Sequence, residues 1–260
     1  MFGQGIHDIL SMYDMQRLPG DRKHVLLACF PKSGSTYLAR LIANAGGYMH
    51  AHLSDGEKGG EHEPSAARLL LHHQTDYVTQ LHVRCSLGTA LLIEKFSLLP
   101  VVLYRDIFDT VISMKDDLKN DPVEYPPFAS PFPIAYIPND VRALPDDKLL
   151  SFVIDMLVPW YLGFYGSWYR YPGRKISLGY REVTGETPRV LRAISDCFGF
   201  RWPDAAIAAA IESAGKEDTR RNQALAGRGG ALSASQRNRI IELSRYFAGI
   251  DFSPIGLSPA

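Results

Sequence analysis

The stretch His24-Val25-Leu26-Leu27-Ala28-Cys29-Phe30, followed at once by Pro31-Lys32-Ser33-Gly34-Ser35-Thr36, decides the fold class of this 260-residue chain. A short, nearly continuous apolar run is what a parallel strand buried on both faces requires. Small and hydroxylated residues then make a loop. Beyond it, Tyr37 to Gly46 carries Leu38, Leu41 and Ile42 at helical spacing, with Gly46 suited to a C-terminal cap. Strand, small-residue loop and helix in that order open a three-layer α/β/α architecture with a central parallel sheet. The alternation continues: strands are expected at Tyr77 to Val83, Pro100 to Tyr104 and Lys175 to Tyr180. Helices are expected from Pro64 to His73, Thr89 to Phe96, near Asp106 onward, Leu149 to Tyr169, Val190 to Phe198 and Ala205 to Ser213. Residues 121–145 are rich in proline and carry Tyr125, Phe128, Phe132 and Tyr136, which reads as a docked lid within one domain spanning 1–260.

Composition narrows the function classes. Lys+Arg and Asp+Glu both count 28, so no general positive field draws nucleic acid or an anionic bilayer, and any anion site is local. Apolar residues at 46% and charged residues at 22% exclude a disordered scaffold. Cys29, Cys85 and Cys197 are too few and too scattered for a disulfide framework or zinc ribbon, which points to a reducing cytoplasm. The N-terminus lacks the basic and apolar regions of a secretory signal. The apolar stretch Met156 to Tyr169 contains Pro159, Gly163 and Gly166 and reads as core or pocket wall, not as a membrane span.

Loop 31–36 offers backbone N–H groups and hydroxyls at the positive end of a helix, which suits a phosphate or sulfate. The alternative is a tight turn with Ser35 or Thr36 as helix cap. A kinase-type loop places lysine after the last glycine, whereas Lys32 precedes Gly34, so the nucleoside-triphosphate reading fails on spacing.

Pro31-Lys32-Ser33-Gly34-Ser35-Thr36-Tyr37-Leu38 closely resembles the P-K-S-G-T-T-W-L phosphosulfate loop of sulfotransferases that use 3′-phosphoadenosine 5′-phosphosulfate (PAPS). A second family signature, a strand followed by Arg and by Ser eight residues later, is matched by Pro100 to Arg105 and Ser113. A third match, Arg220 to Gly230, is similar to the late glycine-rich loop of the family, with Arg228 and Gly229 carried over. The resemblance implies a P-loop-like nucleotide-binding core and PAPS as cofactor, with 3′-phosphoadenosine 5′-phosphate (PAP) as product. It assigns Lys32, Ser33, Gly34, Ser35, Thr36 and Tyr37 to the phosphosulfate, and Arg105, Ser113, Arg228 and Gly229 to the 3′-phosphate. Tyr180 resembles the tyrosine near the adenine. Without the resemblance, Arg105 reads as an ion-pair partner of Asp106 or Asp109, Tyr180 as a buried strand end, and 220–230 as a flexible basic linker.

Sulfuryl transfer is an in-line displacement by analogy with phosphoryl transfer, so Lys32 is placed to stabilise leaving-group charge, and a general base must take the acceptor proton. His82, at a strand end, resembles the family's catalytic histidine; His72, Glu61 and Glu63 are the alternatives. Six of eight histidines fall between His50 and His82, but their spacing does not make a metal site. The aromatic residues of 121–145, with Trp160, Tyr161, Phe164 and Tyr165, suit either an apolar acceptor pocket or hydrophobic core. The expected acceptor is a hydroxyl or amine of a small molecule, lipid or carbohydrate. A Mg-dependent kinase and a noncatalytic PAP-binding module are the competing classes.

Overall fold

The computed structural model describes residues 16–54, 62–120, 137–216 and 227–257. Its centre is β1 (His24–Cys29), every residue of which is buried. β1 lies between β3 (Tyr77–Leu81) and β4 (Leu98–Tyr104), in parallel register with both, His24 facing Tyr77 on one side and Leu98 on the other. β2 (Met49–His50) extends the sheet beyond β3, and β5 (Ile176–Gly179) extends it beyond β4. The order is β2-β3-β1-β4-β5, all parallel; the parallel pairing is what the sequence alternation predicts, while β2 is an addition to the four expected strands.

A strand period of two divides the core. Val25, Leu27 and Cys29 face one layer, where they pack with Leu38, Leu41 and Ile42 of α1 (Ser35–Gly46). That layer also includes α7 (Thr187–Phe198) and α8 (Asp204–Lys216). Leu26, Ala28 and Phe30 face the other, where α3 (Leu87–Phe96), α4 (Ile107–Asn120), α5 (Asp146–Arg170) and α9 (Ala234–Ser244) contribute the core. Two short helices complete the described set: α2 (Ala66–Leu71), shorter than the Pro64 to His73 expectation, and α6 (Tyr180–Gly185), which begins where a strand end was expected.

α5 is long and apolar enough to cross a membrane by length and composition, but 61% of its apolar window is buried inside the protein. It continues through Pro159. Trp160, Tyr161, Phe164 and Tyr165 are all buried, so this set is core and not an open acceptor wall. Phe30, the last residue before the loop, is clamped edge-on by Tyr161 at 4.8 Å and Phe164 at 5.1 Å. Full burial of such a ring is worth roughly 1.5 to 3 kcal/mol, which fixes where the loop departs. From the same helix Trp168 Nε1 donates to the Val83 carbonyl (2.9 Å), and Ser167 Oγ accepts from Cys85 N (2.9 Å). The segment just past β3 is held by these two bonds. Of the expected lid, Tyr125, Phe128, Phe132 and Tyr136 lie outside the described residues; Ile137 and Val141 are buried in the core.

Candidate active site

The loop after β1 turns through two residues with positive φ, Lys32 at 66° and Gly34 at 81°. Gly34 also has Tyr180 against it: a Cβ there would lie 3.0 Å from the Tyr180 ring, so both conformation and contact favour glycine. Gly34, not Ser35 or Thr36, takes the N-cap position of α1, and no side chain caps the first turn. The amide end of a twelve-residue helix therefore faces the loop without a competing hydroxyl, as an anion site requires. The hydroxyls divide. Ser33 is fully buried and donates to the Phe30 carbonyl (2.6 Å), and Ser35 accepts from Gln80 Nε2 of β3 (2.9 Å). Both brace the loop, whereas Thr36 is exposed and Tyr37 partly exposed at the start of α1.

At the carboxyl end of β4, Arg105 is 6% exposed and donates to the Lys32 carbonyl (3.1 Å). Its guanidinium lies 4.5 Å over the Tyr180 ring at the end of β5. Arg105 thus ties the β1 loop to β5 through one hydrogen bond and one cation–π contact. Burial lowers its pKa, Tyr180 and Asp109 oppose that, and the charge of Arg228 lowers it further. An anion beside the two guanidinium groups would relieve that repulsion. Ser113 is buried on α4, the helix that follows Arg105. A cavity of about 460 Å³ opens here, lined by Tyr104, Arg105, Gly179, Tyr180 and Arg181 among others. Tyr180 is therefore both the support of Arg105 and a wall of the cavity.

The late loop is described from Gly227, and its preceding part, 217–226, lies outside the described residues. Arg228 pairs with Asp116, while Lys32 Nζ donates to the next residue of α4, Asp117, at 2.6 Å. Gly229 sits so close to α4 that a Cβ would lie 2.5 Å from that of Phe108. Asp109 was expected at most to pair with Arg105. Instead its 3%-exposed carboxylate accepts from Gly227 N (2.9 Å) and Gly229 N (2.8 Å). No local pattern reveals that role, because the partners lie more than a hundred residues away.

On the other flank of β1, His82 follows the last residue of β3. Its Nδ1 lies 2.9 Å from the Cys29 carbonyl, which can only accept, so Nδ1 carries the proton and Nε2 keeps its lone pair. The His62 ring stacks on it at 5.2 Å. Although the residue retains some surface, its ring is enclosed by Cys29 and His62. Burial depresses its pKa to about 4, opposed by the Cys29 bond and aided by His62 and Lys32. His82 is thus neutral at pH 7 and close enough to Lys32 to feel its charge.

The alternative bases are placed otherwise. His72 is the C-cap of α2, before β3 begins, and so lies toward the opposite edge of the sheet. Glu63 accepts from Thr89 Oγ1 (3.0 Å) at the start of α3, and Glu61 lies outside the described residues. Among the described residues no group of histidines, cysteines and carboxylates could hold a metal ion.

No protein-family model matches the sequence, and no curated protein matches it. Solved structures do. The chain is similar to mouse sulfotransferase SULT7A1 complexed with PAP, with a TM-score of 0.65 and 13% identity over 98% of this chain and 93% of that one. It is similar to retinol dehydratase in complex with androsterone and inactive cofactor PAP, with a TM-score of 0.58 and 12% identity over 92% and 83%. A second retinol dehydratase structure, in a complex with retinol and PAP, gives 0.56 and 13% over 92% and 84%. The chain has the fold of these sulfotransferase structures.

Proposed function

We propose that this protein is a PAPS-dependent sulfotransferase acting on a hydroxyl or amine. The observation that carries the reading is the division of the site about β1. Cationic Lys32, Arg105 and Arg228 gather on the β1–β4–β5 side, and a neutral histidine stands on the β3 side. Ligands of open α/β sheets bind at the carboxyl ends of the strands, where both halves of this site lie. The residues fit the nucleotide: the uncapped α1 terminus and Lys32 suit a phosphosulfate, and Arg105 with Arg228 suits a second phosphate beside the cavity. The PAP bound in the structural neighbours supports the same reading.

When bound, PAPS supplies the sulfuryl group. His82 Nε2 would take the proton of the acceptor hydroxyl or amine that attacks this group. Lys32 would stabilise the negative charge on the leaving phosphate of bound PAPS. For Lys32 to act there, its ammonium must leave Asp117. The backbone amides at the start of α1 would hold the phosphate without needing a side-chain proton.

Labelled PAPS incubated with the protein and pooled acceptor extracts, in EDTA, tests the reading. Transfer of label to an acceptor is expected. A strict requirement for Mg²⁺ and ATP, with no transfer from PAPS, would overturn it in favour of a kinase.

A further inference from the structure

Asp109 presents a difficulty for an anion site: it is a nearly buried carboxylate on the wall of the cavity that also contains Arg105. Left with unused oxygens, it would repel a phosphate. Both oxygens are committed, however. Oδ2 accepts from Gly227 N and Oδ1 from Gly229 N, so the carboxylate grips alternate amides of one turn. Gly227, at φ 86°, supplies the backbone conformation that points both amides the same way, and Gly229 supplies the close approach to α4. The turn is held from the far side as well. Arg237 of α9 donates to the Gly229 carbonyl, and its guanidinium lies 4.8 Å over the Phe108 ring.

We infer that Asp109 is the positioning residue that seats the Gly227–Gly229 turn on α4 and thereby holds Arg228 beside Arg105. Arg228 is the residue between the two gripped amides. Once seated, Arg228 pairs with Asp116 of the same helix, and its charge reaches Arg105. The carboxylate does not touch the ligand. Its negative charge is spent on two N–H groups, and the net effect is to bring a second guanidinium to the phosphate. This inference rests on the nucleotide reading above for its ligand, but the anchoring itself can be measured without any ligand.

The test titrates the full chain with PAP and with AMP, which lacks the 3′-phosphate, by calorimetry. Asp109→Asn keeps the shape of the side chain but turns an NH₂ toward one of the two amides. It is expected to weaken PAP binding roughly 10- to 100-fold, the loss of one charge-assisted contact, and to leave AMP binding within about twofold. In the double variant with Arg228→Ala, the loss should be no greater than that of the worse single variant, since both remove the same guanidinium. Unchanged PAP binding, an equal loss for AMP, or losses that multiply would each overturn the inference. Gly229→Ala guards against a folding failure, because its Cβ collides with Phe108 while the carboxylate stays intact. It must show the same PAP-selective loss, and wild-type affinity would refute the seating. Hydrogen exchange of the Gly227 and Gly229 amides in the ligand-free protein separates the two readings. If wild type does not prefer PAP to AMP, the nucleotide assignment fails. The anchoring then stands or falls on whether Asp109→Asn deprotects those amides.

Discussion

Replacing His82 with asparagine removes the proposed base while keeping its scaffold. The amide nitrogen of asparagine occupies the place of Nδ1 and can still donate to the Cys29 carbonyl, whose distance from Nδ1 is 2.9 Å. The Nε2 lone pair is lost. General-base catalysis contributes about 10²- to 10⁴-fold, equivalent to roughly 3 to 5 kcal/mol, and turnover should fall by that factor with PAP affinity nearly unchanged. The pH dependence sharpens the expectation. Because burial holds the wild-type imidazole at about 4, activity that depends on its neutral form should stay level from pH 8 to about 5 and decline below that. Stability carries the same signature. The folded value lies below the ordinary 6.5, so the fold favours the neutral ring, and its contribution is complete above pH 6.5 and lost as pH falls toward 4. The full loss is at most about 3 kcal/mol, and the asparagine variant lacks it. Initial rates with labelled PAPS at saturating acceptor, and urea unfolding at pH 7 and pH 4, measure both effects. Wild-type turnover in the variant, or an acid limb centred near 6.5, would refute the assignment of His82.

Arg105→Ala should weaken PAP binding by about 1.5 to 3 kcal/mol and AMP binding far less, measured by calorimetry; equal losses would sink its assignment to the second phosphate. Gly34→Ala should lower the thermal midpoint and nucleotide affinity together, because positive φ costs a non-glycine residue about 1 to 2 kcal/mol and the Cβ would press on Tyr180. A scan that overlays wild type would show that the turn tolerates a side chain. Asp117→Asn releases Lys32 from a half-exposed partner, so stability should change by less than about 1 kcal/mol. PAP binding should tighten severalfold, and weaker binding would mean that Asp117 helps the lysine reach its ligand.

The elements most legible in the sequence are those whose burial is continuous. β1 reads from the run His24 to Phe30, one residue longer than the strand, because both of its faces are covered, and α1 reads from Leu38, Leu41 and Ile42 because one face is. β2 was not legible: Met49 and His50 are exposed, and only pairing with β3 makes them a strand. α6 was hidden by Tyr180, whose strand-like context masks a helix start in which the Glu182 carboxylate accepts from Gly179 N at 2.7 Å. Of the candidate site, Lys32 is marked by its loop between strand and helix, whereas Arg105, Ser113 and His82 are singled out only by their resemblance to the family's motifs, since an arginine or histidine at a strand end otherwise reads as an ion pair or a satisfied polar group. The inward roles of Ser33 and Ser35 were not legible, since a hydroxyl in a loop reads the same whether it faces ligand or carbonyl. Asp116, Asp117 and Asp109 escaped for a different reason: an acidic residue on a helix ordinarily belongs to a solvated face, and only the tertiary fold brings Lys32 and the late loop to them.

The positive φ of Lys32 sets stability and turnover against each other at a single position. A lysine held at 66° costs the fold about 1 kcal/mol that glycine would not, and its pair with Asp117 is too exposed to return much of it. Glycine is therefore the substitution that a stability-guided redesign would select here, and it deletes the ammonium to which the proposed function assigns charge stabilisation. Variants evolved for heat resistance alone should drift toward a well-folded but inactive protein at residue 32, so screens that enrich for thermal tolerance need an activity gate at this turn.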